Sequence, residues 1–132
     1  MNSALTLGLL DAELMRACLR GHPPATRFFI ALNQSGAAQL CRITILELLS
    51  GCASDAERAL ARRYVGTMQV LELTAPIARR ASDLLDAISL PTALTASDSI
   101  IAATALEHGV PLYTLSPVRF AGVPSLVATL PY

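Results

Sequence analysis

The stretch "TASDSIIAATALEHGVPLYT", residues 95–114, places one acid, Asp98, at the front of an apolar segment. Thr95 and Ser97 stand just before that acid, and both are residue types that commonly cap helix N-termini. Gly109 follows the apolar pattern and is a typical helix stop. The apolar "PLYT" after it is typical of a buried strand. The segment therefore predicts a helix with an acid in its first turn, followed by a core strand.

The same alternation of strand and helix extends over the whole chain. Short apolar runs predict core strands at residues 5–10, 39–43, 68–73 and 111–114, and an edge strand at 125–130. Helical patterns lie between them at residues 12–20, 24–34, 44–50, 54–66, 74–88 and 95–108, with a loop at 90–94. Strands alternating with helices form a parallel sheet covered on both faces. We therefore expect one α/β domain, residues 1–132, with three α/β/α layers and a mostly parallel sheet of four to five strands.

Composition excludes several classes of protein. The 132 residues are 53% hydrophobic, which is enough for a core, and the formal net charge is zero. A diffuse basic field for nucleic acid is therefore absent, and any such contact must come from local patches. The three cysteines show no C-x-x-C spacing, which favours buried thiols in a reducing cytoplasm. The N-terminus does not resemble a signal peptide, and no apolar run approaches the ~20 residues of a membrane span.

Three acids lie where such a sheet places its binding site, beyond the carboxyl ends of the strands. Asp11 follows the first predicted strand, Glu47 lies in the helix after the second, and Asp98 begins a later helix. Each has a purely structural alternative: Asp11 as an N-cap, Glu47 in a capping box with Thr44, and Asp98 as an anion at a helix N-terminus.

Taken jointly, the acids indicate a metal site. Carboxylates held together stay ionised at neutral pH only if a cation joins them, and oxygen ligands suit Mg²⁺ or Mn²⁺. Such an ion activates water and stabilises the charge on a phosphodiester under attack. Mutual repulsion further predicts that Asp98→Asn leaves the metal-free protein as stable as before, or slightly more so. No P-loop, G-x-G-x-x-G or G-x-S-x-G motif indicates another chemistry.

Four stretches carry a resemblance to a known family: "LGLLDAELMRACLRG", "CRITILELLSG", "TASDSIIAATALEHGVPLYT" and "YTLSPVRFAGVPSL". Together the chain resembles PIN-domain proteins, specifically the VapC-type toxins of toxin–antitoxin pairs. The resemblance implies a PIN-like fold and a Mg²⁺-dependent ribonuclease, with Asp11, Glu47 and Asp98 as catalytic, metal-binding acids. It also implies a tRNA or rRNA substrate, an antitoxin partner, a homodimer and a cytoplasmic location.

The chain departs from the family pattern at two places. Ala12 and Glu13 follow the first acid where the family commonly has Thr or Ser and then Asn or Ser. In the closing loop Ser116 stands near a usual Asp or Asn, and Arg119 stands where an Asp often precedes the Phe. We predict that Ser116 supports a metal or its bound water. Glu13 is predicted to point away from Asp11, because the side chains of helical residues two positions apart point in directions that differ by about 200°.

Basic residues near the acids are candidates for RNA phosphate contacts, since such contacts dominate affinity. They are Arg16, Arg42 and Arg119, and for each a solvated surface position is the alternative. Three interpretations remain open: a metal-dependent endoribonuclease toxin, a catalytically degenerate PIN domain that binds protein or RNA, and an unrelated α/β domain whose acids are ordinary caps.

Overall fold

The computed structural model describes residues 6–132. Five strands form its sheet: β1 (Gly8–Leu10), β2 (Ala38–Cys41), β3 (Gln69–Leu71), β4 (Leu112–Tyr113) and β5 (Ala128–Thr129). The α-helices are α1 (Ala12–Leu19), α2 (Pro23–Gln34), α3 (Arg42–Ser50), α4 (Asp55–Val65), α5 (Ala75–Ala87) and α6 (Ala96–His108). A 3₁₀ turn, η1 (Pro117–Phe120), follows β4. The predicted succession of strands and helices is confirmed.

All neighbouring strands pair in parallel, in the order β3-β2-β1-β4-β5. Helices cover both faces, so the three-layer α/β/α fold predicted from the sequence is confirmed. The order runs outward from β1 in both directions, and the junction of β1 with β4 is therefore the topological switch point. Ligands of open α/β sheets bind beyond the carboxyl ends of the strands at such a point.

One apolar core packs against each face of the sheet, because successive strand residues face opposite sides. Leu10 packs with α1, α2 and α3, in a cluster that includes Leu14, Met15, Phe28, Phe29, Leu40 and Leu48. Leu9 faces the other way, towards α6 and η1, in a cluster that includes Leu71, Ile101, Ala102, Leu112 and Phe120. The alternation of Leu9 and Leu10 fixes β1 as the central strand between both layers.

Most predicted helix starts are confirmed by side-chain caps, but one is wrong. Ser54, Thr74 and Thr95 each accept a hydrogen bond from the backbone N–H three residues on. Thr44, in contrast, does not cap α3, which begins at Arg42 with Cys41 as its N-cap residue. Thr44 lies within α3 and its side chain is buried, with the hydroxyl 3.3 Å from the Cys41 sulfur. The capping box of Thr44 with Glu47, which was the structural alternative for that acid, is therefore not formed.

The predicted first strand is shortened at its start. It spans residues 8–10 rather than 5–10, and its first predicted residue lies outside the described part of the chain. β5 is a short edge strand as predicted, paired only with β4. Among residues 6–132 no helix is both long and apolar enough to cross a membrane.

Candidate active site

Asp11 lies at the carboxyl end of β1, where the chain turns into α1. It is the N-cap residue of that helix, and its Oδ1 accepts a 2.9 Å hydrogen bond from the Leu14 N–H. The residue is 1% exposed, and its other oxygen, Oδ2, is buried and accepts no hydrogen bond from residues 6–132. A capping role therefore accounts for only half of this carboxylate, since buried polar atoms normally have partners.

Asp98 caps α6 in the full reciprocal arrangement. Its Oδ2 accepts a 3.0 Å hydrogen bond from the Thr95 N–H, and the Thr95 hydroxyl accepts one of 3.1 Å from the Asp98 N–H. This capping box satisfies backbone donors that a helix start leaves open. The acid in the opening sequence stretch thus helps to begin its helix, yet it is also 6% exposed and lies next to a cation.

That cation is Arg119, which lies between the two acids. Its Nε is 3.1 Å from Asp98 Oδ2, and its Nη2 is 3.9 Å from Asp11 Oδ2. Two carboxylates that are far apart in sequence therefore meet around one guanidinium at the switch point of the sheet. This is the arrangement expected of parallel strands whose carboxyl ends share one edge.

The guanidinium is held by its surroundings more than by hydrogen bonds. Arg119 lies in η1, and its guanidinium carbon is 5.5 Å from the centre of the Phe120 ring. Its Nε is buried and, despite the short distance to Asp98, makes no hydrogen bond of normal geometry. The Arg119 side chain is 29% exposed, whereas those of Asp11 and Asp98 are 2% and 9% exposed. Arg119 is consequently the most solvent-accessible of the three side chains.

Burial dominates the electrostatics of Asp11. It raises the pKa of this carboxyl above its ordinary value of 3.8. The Thr114 hydroxyl, the Leu14 N–H and the Arg119 charge all oppose that rise, whereas the charge of Glu13 adds to it. One arginine at 3.9 Å thus compensates only part of the desolvation of this acid.

Glu13 points towards the site, and the prediction that it points away is wrong. Its Oε1 accepts a 3.2 Å hydrogen bond from the Ser116 hydroxyl in the loop after β4. The helical angle did not apply because Asp11 has extended backbone angles, φ −83° and ψ 172°, and lies before the first turn of α1. Glu13 therefore supplies a carboxylate beside Ser116, near the place where the VapC-type pattern has its closing-loop acid.

Glu47 lies in α3, beyond the carboxyl end of β2, and is partly buried. Among residues 6–132 Arg119, which contacts Asp11 and Asp98, forms no ion pair with Glu47. In the same part of the chain, no three His, Cys, Asp or Glu side chains lie close enough together to hold one metal ion. The role of Glu47 as a third ligand stays a prediction, whereas Asp11 and Asp98 are brought together.

The other two predicted phosphate contacts have neighbours of their own. Arg42, at the start of α3, forms a two-bonded ion pair with Glu72, with contacts of 2.9 and 2.5 Å. Arg16 lines a small cavity of about 190 Å³ together with Gly51 and Cys52. Both roles stay predictions. A wider cavity of about 620 Å³ lies near Gly109 and Pro111, at the amino ends of the strands and away from the acids.

Sequence reasoning missed the contact of Arg119 with the acids. The available signal was its position immediately before Phe120, where the VapC-type pattern often has an Asp. A basic residue at a position that normally adds charge to an acidic site is a candidate counter-ion for that site. From the sequence, Arg119 is instead expected to contact RNA phosphate or to lie solvated on the surface.

The family of the chain is shown by a family-model match. Residues 9–115 match the PIN domain, a span that runs from β1 to just beyond β4 and includes both acids. The protein therefore belongs to the PIN domain family, and the resemblance noted in its sequence is confirmed. A comparison with curated proteins found no significant match.

Solved structures extend the similarity over almost the full chain. A toxin–antitoxin complex from Klebsiella pneumoniae is 25% identical, with a TM-score of 0.76, covering 95% of this chain and 98% of that one. A DNA-bound VapBC from Salmonella typhimurium is 16% identical, with a TM-score of 0.78 and coverage of 97% and 100%. FitAcB from Neisseria gonorrhoeae is 20% identical, with a TM-score of 0.72 and coverage of 93% and 96%. The chain is thus similar in fold to components of such complexes.

Proposed function

We propose that the protein is a metal-dependent endoribonuclease, the toxin of a VapC-like toxin–antitoxin pair. The observation that carries this proposal is the meeting of Asp11 and Asp98 around a cation at the switch point of the sheet. Helix capping alone does not require the two acids to share one cation. The PIN family match and the similarity to toxin–antitoxin complexes support the same conclusion.

The types of residue at this site are suited to binding a divalent cation. Carboxylate oxygens are the ligands that Mg²⁺ and Mn²⁺ favour, and Mg²⁺ is commonly bound by one or two carboxylates together with waters. Asp11 Oδ2 is a buried oxygen with no hydrogen-bond donor, and the guanidinium beside it shows that a positive charge is accommodated there. Asp11 and Asp98 would hold the ion, and we propose Glu47 as the third acid.

A divalent ion bound there would supply an activated water and stabilise negative charge on the attacked phosphodiester. The chain's own residues contribute orientation. The Ser116 hydroxyl donates a hydrogen bond to Glu13. The lone pairs of the Ser116 oxygen therefore remain available to accept a hydrogen bond from a water. Thr114 is fully buried beside Asp11 and lowers the pKa of that acid. We therefore assign Ser116 and Thr114 to positioning water and Asp11.

For the substrate we propose structured RNA of the tRNA or rRNA class. Arg16 and Arg42 are the proposed phosphate contacts, and Arg42 would have to share its charge with Glu72. Because the chain has zero net charge, RNA binding should depend on these few contacts and weaken steeply with salt. A cognate antitoxin, a homodimer and a cytoplasmic location belong to the same proposal.

A second candidate is a PIN domain that binds RNA or protein without cleaving it. The specific observation that favours it is Arg119, a cation at a position where VapC-type toxins often have an acid. A guanidinium joined to Asp98 at 3.1 Å neutralises charge that a metal would otherwise use. A degenerate PIN domain would therefore use Asp11 and Asp98 to bind Arg119, whereas an active nuclease would use the same two carboxylates to bind a metal ion.

The experiment that separates them is cleavage of total cellular RNA with Mg²⁺ or Mn²⁺, beside Asp98→Asn. Circular dichroism should first confirm that the variant is folded, because Asp98 also caps α6. Glu107→Gln, which removes the charge of a surface acid paired with Arg80, is the matched control. Cleavage by the wild type and the control but not by Asp98→Asn supports the nuclease. RNA retention without cleavage by any variant supports the binding module.

A further inference from the structure

We infer that Arg119 is the chain's own cation for the Asp11–Asp98 pair, and that a divalent ion reaches these acids only by displacing the guanidinium. The part that concerns the metal rests on the proposed function. The part that concerns the arginine rests on geometry alone. Arg119 would thus be a latch inside one chain, one that sets how tightly the site binds metal.

Charge and burial carry the first step. The side chains of Asp11 and Asp98 are almost fully buried, and two carboxylates in one place repel each other unless a cation lies between them. Arg119 reaches both, at 3.9 and 3.1 Å, and its own side chain is more exposed than either acid. It therefore fills the role of a counter-ion and is the member of the cluster most accessible to an ion arriving from solvent.

Incomplete hydrogen bonding carries the second step. Arg119 Nε and Asp11 Oδ2 are both buried, and neither makes a hydrogen bond of normal geometry. An optimal arginine–carboxylate pair makes two parallel hydrogen bonds, as Arg42 and Glu72 do elsewhere in the chain. The latch is therefore held by charge and packing against Phe120, and its release loses no hydrogen bond from the guanidinium Nε.

Competition follows from these two steps. A metal ion and a guanidinium that use the same carboxylate oxygens exclude each other, so each lowers the apparent affinity of the other by the same factor. Removing the arginine should raise metal affinity, and adding metal should replace the stabilisation that the arginine provides. Neither effect is expected of a surface arginine.

Calorimetric titration with MnCl₂ tests the first effect. Arg119→Gln keeps an uncharged polar group at about the distance of the arginine Nε, and Arg119→Ala removes the side chain beyond Cβ. Both should bind Mn²⁺ at least about tenfold more tightly than the wild type, as expected when a cation within about 4 Å of the ligands is lost. Arg80→Ala, which breaks a surface pair with Glu107, is the control and should leave Mn²⁺ affinity unchanged.

Thermal unfolding tests the second effect and does not depend on activity. Without metal, Arg119→Gln should melt below the wild type. Saturating Mn²⁺ should raise its melting temperature by more than it raises that of the wild type, and adding Asp98→Asn should abolish this gain. If neither Arg119 variant folds without metal, refolding in MnCl₂ decides: recovery supports the latch, and no recovery overturns it.

Equal Mn²⁺ affinity in the wild type and the Arg119 variants would overturn the inference. That outcome is distinct from failure of the proposed function. Tighter Mn²⁺ binding by Arg119→Gln with no RNA cleavage by any variant keeps the latch and rejects the nuclease. Unchanged Mn²⁺ affinity together with cleavage that requires Asp98 rejects the latch and keeps the nuclease.

Discussion

Two arginines lie beside carboxylates at the carboxyl edge of the sheet, in different surroundings. Arg42 and Glu72 follow the neighbouring strands β2 and β3, are 43% and 60% exposed, and share two hydrogen bonds. Arg119 lies at the switch point with Asp11 and Asp98, which are nearly buried, and its contacts lack ideal geometry. The better hydrogen-bonded pair is thus the one on the surface.

The acids respond in opposite directions. The hydrogen bonds from Arg42 lower the pKa of Glu72, whereas burial raises the pKa of Asp11 despite the nearby Arg119. Desolvation therefore outweighs the attraction of the arginine at the switch point, whereas the hydrogen bonds from Arg42 outweigh it at the surface. Arg42–Glu72 is thus a fully hydrogen-bonded surface pair. At the switch point, Arg119 compensates only part of the cost of burying the Asp11 carboxylate.

Asp98→Ala should produce the largest effect on stability. It removes the capping box of α6, worth about 1 kcal/mol, and leaves the half-buried Arg119 without its nearest carboxylate. We expect the free energy of unfolding to fall by about 2–4 kcal/mol in metal-free buffer, measured by urea denaturation. This replaces the expectation of relieved repulsion, because a cation already lies beside the acid.

Asp98→Asn is the matched comparison, since the amide oxygen can still accept the Thr95 hydrogen bond. It should lose less than Asp98→Ala but remain below the wild type. An Asp98→Asn protein more stable than the wild type would mean that repulsion, not pairing, governs this site.

Ser116→Asp should have an intermediate effect. The new carboxylate would stand close to Glu13, whose Oε1 now accepts the Ser116 hydrogen bond at 3.2 Å. We expect the metal-free protein to lose about 1 kcal/mol, because a hydrogen bond is exchanged for like-charge repulsion. Saturating Mn²⁺ should raise its melting temperature by more than that of the wild type. Ser116→Asn is the neutral control, and an equal Mn²⁺ response in both variants would place this loop away from the cation site.

Glu72→Gln should have the smallest effect. Because Arg42 holds the pKa of Glu72 below its ordinary value of 4.5, the pair stabilises the fold above pH 4.5. That contribution disappears as the pH falls from 4.5 through the lowered pKa of the folded state. Urea denaturation should show a small deficit for Glu72→Gln near neutral pH and none in acid. A deficit as large as that of Asp98→Ala would erase the distinction between the two regions, since exposed pairs contribute little.

The fold was predictable because its signals are local. Periodicity in the strands and caps at Ser54, Thr74 and Thr95 placed most elements within a few residues. The exception, Thr44, depends on burial: its hydroxyl contacts Cys41 inside the helix, and no local pattern distinguishes this from a cap.

The site was predictable in its acids and not in its cation. Asp11 follows β1 and Asp98 lies in the first turn of α6, the helix that leads into β4, so the parallel pairing of β1 with β4 brings both acids to one edge. The partner of Arg119 depends on how η1 packs over that edge, and the direction of Glu13 depends on the backbone angles of Asp11. The first is a tertiary fact and the second is a local backbone conformation, and spacing along the chain encodes neither.

Diffraction from crystals soaked in MnCl₂, with data collected at the manganese absorption edge, tests the central claim most directly. We predict one anomalous peak between the carboxylates of Asp11 and Asp98, with the Arg119 guanidinium withdrawn from both. Anomalous density elsewhere, or none, with Arg119 still joined to Asp98 would contradict the claim that these acids form a metal site latched by their own arginine.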